Sequence, residues 1–154
     1  MFDIVLYEPE IPPNTGNALR LAANTGSRLH LVRPLGFTLN HRQLARAGLD
    51  YGDISAIRVH DDWAACTAHF ESKPLYAVTT RGTVRHDHVR YCPGDVFLFG
   101  PETRGLPQDL LESLPAKCRI RVPMCLGNRS LNLSNAIAVV IYEAWRQCDF
   151  SGGQ

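Results

Sequence analysis

The sequence predicts an α/β protein on an open, mainly parallel sheet with helices on both faces. Three observations predict it. Apolar runs rich in β-branched residues recur about every 20 to 30 residues. Helix-like segments separate those runs, which is the rhythm of βαβ units. A chain of 154 residues, 45% hydrophobic and 20% charged, also supplies one ordinary core. A single domain therefore covers 1–154, with Ser151-Gly152-Gly153-Gln154 as a loose tail.

Taken in order, the strands are expected at Ile4–Tyr7, Leu29–Val32, Ala56–Val59, Leu75–Val78, Val96–Phe99 and Ile120–Val122. The first helix is expected over Asn14–Thr25, capped by Asn14 or Thr15 and closed by Gly26. Further helices are expected at His41–Ala47 before Gly48, at Asp61–Glu71, at Gln108–Leu114 and from about Leu131 to Gln147. The last has Ala136, Val139, Val140, Glu143, Ala144 and Gln147 on one side and Ile137, Ile141 and Trp145 on a neighbouring stripe. Apolar positions cover most of its circumference, so it is expected to be buried on two sides, one of them against another subunit.

Several classes are excluded. The 12 Gly and 10 Pro have no period, so neither a collagen-like nor a disordered chain fits. No apolar run approaches the roughly 18 residues of a membrane span. Asp3 stands where a secretory signal carries basic residues, and the apolar stretch ends at Glu8 and Pro9, so a cytoplasmic protein is expected. Cys66, Cys92, Cys118, Cys125 and Cys148 form no C-x-x-C pair and are read as reduced thiols. His86-Asp87-His88 lacks further ligands at familiar spacing and reads as a solvated loop, so no metal is expected.

The net charge of +1 hides an uneven distribution, because every one of the 16 basic residues except Lys73 and Lys117 is Arg. From Arg20 to Arg46, and again from Ser113 to Tyr142, there is no Asp or Glu. Each stretch is either balanced by acids nearby in space or forms a surface for a polyanion.

Chemistry can sit on the loops that follow strands, where open α/β sheets gather ligands. The first, Glu8–Asn17, is stiffened by Pro9, Pro12 and Pro13 and leads into a helix bearing Arg20. The second, Gly100–Pro107, exposes backbone groups in a turn of two glycines and two prolines. It lacks the Lys and Ser/Thr of a phosphate loop, because Leu106-Pro107 stands there. The third, Val122–Asn135, crowds Asn128, Ser130, Asn132, Ser134 and Asn135 before the last helix. One cap would suffice, so some of these residues are expected to contact a ligand. No G-x-G-x-x-G, G-x-S-x-G or H-E-x-x-H is present, so dinucleotide, hydrolase and protease readings lack support.

In their order and intervals the three loops, "VLYEPEIPPNTGNALRLAANTG", "FLFGPETRGLP" and "IRVPM…NRSLNLSNAIAVVIYEAWRQ", resemble the signature motifs of the SPOUT (α/β-knot) RNA methyltransferases. The similarity extends over residues 1–148 and takes in "RAGLDY" at Arg46–Tyr51 and "TTRGT" at Thr79–Thr83. It implies that the C-terminal part of the sheet is threaded into a trefoil knot, a topology that general folding rules would not suggest. It also implies a homodimer, S-adenosyl-L-methionine as methyl donor with S-adenosylhomocysteine as product, and no metal. The implied reaction is 2′-O-methylation of the wobble nucleotide, cytidine or uridine, of leucine tRNAs.

By the same resemblance, Val78, Thr79, Thr80, Gly100, Pro101, Glu102, Val122, Pro123, Met124, Ser130 and Leu131 bind the donor, mostly through backbone groups. Arg20 is the implied catalytic arginine, Ser130 and Asn135 place the reacting ribose, and Asn14 and Tyr142 support them. A free arginine is a poor base because its pKa exceeds about 12, so Arg20 is better suited to holding a phosphate and polarising the hydroxyl than to acting as a base. Arg28, Arg33, Arg42, Arg46 and Arg129 are the candidate phosphate contacts to an anticodon stem-loop. The competing readings are a related enzyme modifying another RNA position and a non-catalytic RNA-binding module.

Overall fold

A run of four buried residues opens β1, Asp3–Tyr7, as expected of a central parallel strand covered on both faces. The computed structural model describes residues 1–39 and 57–154. The expected helix at His41–Ala47, the start of the third expected strand at Ala56, the Arg46–Tyr51 motif and the candidates Arg42 and Arg46 lie outside the described residues.

Among the described residues the strands are β1, β2 (Arg28–Val32), β3 (Ile57–His60), β4 (Leu75–Val78), β5 (Val84–Arg85), β6 (Val96–Phe99) and β7 (Arg119–Arg121). They form one seven-stranded sheet in the order β3-β2-β1-β6-β4-β7-β5, and every pairing is parallel. Helices α1 (Pro12–Thr25), α2 (Trp63–His69), α3 (Gln108–Ser113) and α4 (Leu133–Gln147) cover it. Ile4, Leu6, Leu29, Leu31, Phe97 and Phe99 face α1 and α4. Val5, Val32, Ala77 and Leu98 face the other layer, with Cys66 on α2, Phe70 at its C-terminal end and Leu110 and Leu111 on α3. Each fully buried Leu or Phe contributes about 1.5–3 kcal/mol to holding the layers together.

Two helix starts show how local sequence sets the frame. Asp62 accepts a hydrogen bond from Ala65 N at 2.7 Å and starts α2. The expected Asn14 or Thr15 cap of α1 is not made. The helix begins earlier, at Pro12, after Ile11, which makes no side-chain cap. Prolines at the first helical positions need no N–H partner, which frees Asn14 for other contacts. At the other end Gly26 takes the left-handed conformation, φ 63°, and closes the helix as expected.

In α4 the buried positions are Ile137, Val140, Ile141 and Ala144, whereas Val139 and Tyr142 are 40% and 44% exposed. The helix buries one side within the chain and leaves the second apolar side open. No described helix is long and apolar enough to cross a membrane.

The C-terminal part of the sheet carries the unusual topology. Val78, Ile120 and Val84 stand level on adjacent strands, so the short Thr79–Thr83 connection must cross β7 to join β4 to β5. Thr79 N donates to Ile120 O at 2.9 Å and Thr83 N to Arg119 O at 3.0 Å. Gly82 makes the crossing feasible, because a Cβ there would lie 2.4 Å from the Ile120 carbonyl carbon. This insertion of β7 is what threading the C-terminal segment through a loop requires. Beyond it α4 returns across α1, and Gln147 bonds Tyr91 N at 3.0 Å and Val89 O at 3.0 Å.

Candidate active site

At the C-terminal ends of β1, β4, β6 and β7 the chain leaves the sheet through segments rich in Gly, Pro and Asn, and these converge. Val78–Arg81, Phe99–Leu106, Val122, Met124, Arg129–Leu133 and Ala136, with Ile11 and Asn14, line one cavity of about 520 Å³. That volume suits a nucleoside-sized ligand.

The second loop closes on itself. Gly105 takes φ 69° and donates to Pro101 O at 2.9 Å. A Cβ on Gly100 would lie 2.4 Å from Leu106 N, so only glycine permits this turn. The wall that results is largely peptide backbone, with Val78, Phe99, Leu106 and Leu131 supplying apolar surface.

A polar relay joins the three loops. Glu102 accepts from Glu10 N at 2.8 Å, from Ile11 N at 3.2 Å and from Asn14 Nδ2 at 3.1 Å. Its carboxylate thus satisfies donors at the start of α1 that have no partner within the helix. Asn14 Oδ1 in turn accepts from Asn132 Nδ2 at 3.1 Å. Asn132 Oδ1 caps α4 by accepting from Ser134 N at 2.9 Å and Asn135 N at 3.3 Å. Alongside, Thr103 N and Oγ1 donate to Glu10 at 3.1 and 2.7 Å, and the Arg104 guanidinium spans Glu8 and Glu10. The Thr103 hydroxyl, with Arg104 in support, holds the Glu10 carboxyl below its ordinary range against the opposing effect of burial. Arg81 and Arg129 bring positive charge to the wall, whereas Arg104 is matched by Glu8 and Glu10.

Most of the residues implied for the donor meet here. Val78, Thr79, Thr80, Gly100, Pro101, Glu102, Val122, Met124, Ser130 and Leu131 all line the cavity, as does Asn14. Pro123 is exposed and outside the lining. Arg20, Asn135 and Tyr142 also lie outside it, Arg20 on the exposed face of α1 and the other two on exposed positions of α4. Of the candidate phosphate contacts, Arg129 lines the cavity. Arg28 instead grips Asp3 at 2.7 and 2.9 Å at the N-terminal ends of β1 and β2, and Arg33 lies 3.8 Å from Asp61.

Sequence reasoning gave no site role to Arg81 and Arg104 and named Asn132 only as one of five crowded Asn and Ser residues. Asn132 had a usable signal, an Asn directly before an apolar helical run. The ion pairs of Arg104 span more than 90 residues and left no local trace.

S-adenosylmethionine, implied by the motif resemblance, fits this cavity on two structural grounds. Exposed peptide groups at three strand ends offer the donors and acceptors a purine and ribose need, and the apolar side chains offer a face for the ring.

The known proteins agree with this geometry. The model of the SpoU rRNA Methylase family matches residues 1–142. A tRNA (cytidine(34)-2′-O)-methyltransferase of Methylovorus glucosotrophus is 58% identical over 152 residues, covering 99% of each chain. A solved structure concerned with the 2-OH methylation of C/U34 on tRNA superposes with a TM-score of 0.90 at 45% identity, covering 97% of both chains. An AdoMet-bound rRNA methyltransferase from Sinorhizobium meliloti superposes with a TM-score of 0.80 at 25% identity, covering 94% of this chain and 56% of that one.

Proposed function

The chain belongs to the SpoU rRNA Methylase family, and on that premise we infer that it is an S-adenosylmethionine-dependent tRNA (cytidine(34)-2′-O)-methyltransferase. The observation that carries this reading is the convergence of three strand-end loops on one cavity of about 520 Å³.

When bound, S-adenosylmethionine supplies a sulfonium methyl group for the ribose 2′-hydroxyl. The backbone of Val78–Thr80, Gly100–Glu102 and Val122–Met124, with Ser130 and Leu131, binds and orients that donor. Asn14, fixed from one side by Glu102 and from the other by Asn132, presents a rigid polar edge to the ribose. Ser130 adds a hydroxyl on the opposite loop, and Asn135 and Tyr142 support the RNA from α4. Arg20 holds the phosphate next to the target ribose and stabilises the charge that develops on the 2′-oxygen. Because its guanidinium stays protonated, the proton passes to phosphate or water.

The reading extends to uridine as well as cytidine at the wobble nucleotide, to leucine isoacceptors, to the anticodon stem-loop as the recognised element and to work in the cytoplasm. It also includes a homodimer formed through the exposed side of α4, where Val139 and Tyr142 stand open to solvent. A second copy seated there would place its own residues near Tyr142, one of the site candidates that lie outside the cavity wall.

The test is incubation with total tRNA and tritiated S-adenosylmethionine, followed by nucleoside mass spectrometry and mapping of the methyl group. Methylation of the wobble ribose in leucine isoacceptors is expected. A methyl group mapped elsewhere would make this a related enzyme with another target, and tRNA binding without donor affinity would make it a binding module.

A further inference from the structure

Resting on the assignment of tRNA as substrate, we propose that the β5–β7 edge of the sheet is the track along which the RNA backbone reaches the cavity. Lys117, Arg119, Arg121 and Arg129 make the phosphate contacts there, and Arg28 and Arg33 do not.

Several of the described cations are already committed to carboxylates. Arg28 and Lys73 both bind Asp3, Arg33 lies by Asp61, Arg85 binds Asp87, Arg104 binds Glu8 and Glu10, and Arg146 binds Glu143. Among the described residues, no carboxylate lies within 4.0 Å of Lys117, Arg119, Arg121 or Arg129. The sequence from Ser113 to Tyr142 contains no Asp or Glu that could quench them from the same stretch. Unneutralised guanidinium groups on one side of a protein are the footprint of a polyanion.

Their placement is continuous with the cavity. Lys117 lies in the 3-10 turn Ala116–Cys118 that leads into β7. Arg119 and Arg121 project from one face of that strand, and Arg85 stands opposite Arg121 in register. Arg119 and Arg121 lie about 7 Å apart along the edge. The connection carrying Arg81 rests on its far end, since a Cβ on Gly82 would lie 2.8 Å from Arg121 N. Arg81 and Arg129 then line the cavity itself. Arg81 shares its guanidinium with the neutral Gln108 Oε1, a contact that leaves its charge intact. On α3, Glu112 is engaged by Gln108 Nε2 at 2.7 Å. An extended line of charge that ends at a nucleoside cavity fits a nucleic-acid strand better than a small anion.

The experiment measures binding of end-labelled tRNA to the full chain by fluorescence anisotropy between about 50 and 200 mM salt. The variants are Lys117→Ala combined with Arg121→Ala, and Arg58→Ala as the control. Arg58 is also exposed and without a carboxylate partner, but it sits on β3 at the opposite edge of the sheet. The double variant is expected to bind tRNA about tenfold more weakly, with the slope of log K against log salt reduced by about two. Its donor affinity by calorimetry should remain that of the wild type, and Arg58→Ala should change neither quantity. An unchanged slope in the double variant, or an equal loss in Arg58→Ala, overturns the track. Should the double variant unfold, Arg121→Gln alone is expected to give half the change in slope, and no change there also overturns it. Methylation of the wobble ribose with a track variant of wild-type affinity would sink the track and leave the enzyme assignment standing. RNA binding along the track without methyl transfer would do the reverse.

Discussion

Asn132 Nδ2 donates to Asn14 Oδ1 at 3.1 Å, so the residue that caps α4 is braced against the first turn of α1. One side chain therefore starts a helix and fixes two cavity walls relative to each other. Asn132→Asp keeps the capping acceptor and deletes the donor toward Asn14, while Asn132→Ala deletes both. Losing the cap costs about 1 kcal/mol, or about 3 °C in melting temperature. The Asp variant is expected to melt like the wild type yet bind S-adenosylmethionine about tenfold more weakly, and the Ala variant to lose in both. Calorimetry and thermal melts check this, and wild-type donor affinity in Asn132→Asp would remove the brace from the binding site.

Glu102 is surrounded by three N–H donors, and a carboxylate, being acceptor-only, matches them. Glu102→Gln is nearly isosteric but turns an NH₂ group toward those donors. The mismatch is expected to lower stability by about 1–3 kcal/mol and to loosen Asn14, so turnover falls together with donor affinity. Urea unfolding and a tritium-transfer assay measure the two effects. A variant with full stability and activity would show that these hydrogen bonds are not needed to order the loops.

What could be read from residues alone followed from how far each signal reaches. Strands β1, β4 and β6 were legible because parallel strands covered on both faces read as continuous apolar runs, and in β2 only His30 interrupts the run Leu29–Val32. Val84–Arg85 was not, because its pairing exists only once β7 has been inserted beside it. The three site loops were visible in their Gly, Pro and Asn content. Asn14 was misread as a cap because the prolines before it had already removed the need for one. Arg28 looked available for phosphate, but the register between β1 and β2 sets it opposite Asp3. Propensity cannot report a partner that only the sheet brings near.

Gly82 tests the crossing that the motif resemblance implied. A Cβ there would meet the carbonyl carbon and oxygen of Ile120 at 2.4 and 2.5 Å, and backbone cannot swing aside as a side chain can. Gly82→Ala is expected to cost about 3 kcal/mol and about 10 °C in melting temperature. Gly26→Ala is the comparison, since nothing lies within 4 Å of its Cβ and only the left-handed backbone penalty of about 1 kcal/mol applies. Equal melting temperatures for the two variants would mean that the Thr79–Thr83 connection can lift from β7 at little cost.

Acid stability depends on a buried cluster at the far side of the sheet from α1. His30 lies 3.2 Å from Asp3 through Nε2 and 3.0 Å from His60 Nε2 through Nδ1. The tautomers that satisfy both contacts have His30 donating to Asp3 and accepting from His60. His69 and Phe70 pack against the same rings in tilted and edge-on contacts. Burial, with His30, His69 and Arg58 nearby, lowers the pKa of His60 to about 4. Burial alone would raise the pKa of Asp3, but hydrogen bonds from His30, Arg28 and Lys73 outweigh it and hold the carboxyl well below its ordinary range. Below about pH 6.5 the unfolded chain protonates His60 while the folded chain resists, so stability falls as pH drops toward 4. Asp3 extends the loss, since its contribution is complete above about pH 4 and disappears as pH falls further. The urea midpoint should therefore decline between about pH 7.5 and 4.5. His60→Gln keeps an amide donor for His30 and removes the titrating ring. It is expected to cost about 1 kcal/mol at neutral pH and to flatten the decline, whereas a profile as steep as the wild type's would move the acid sensitivity to other groups.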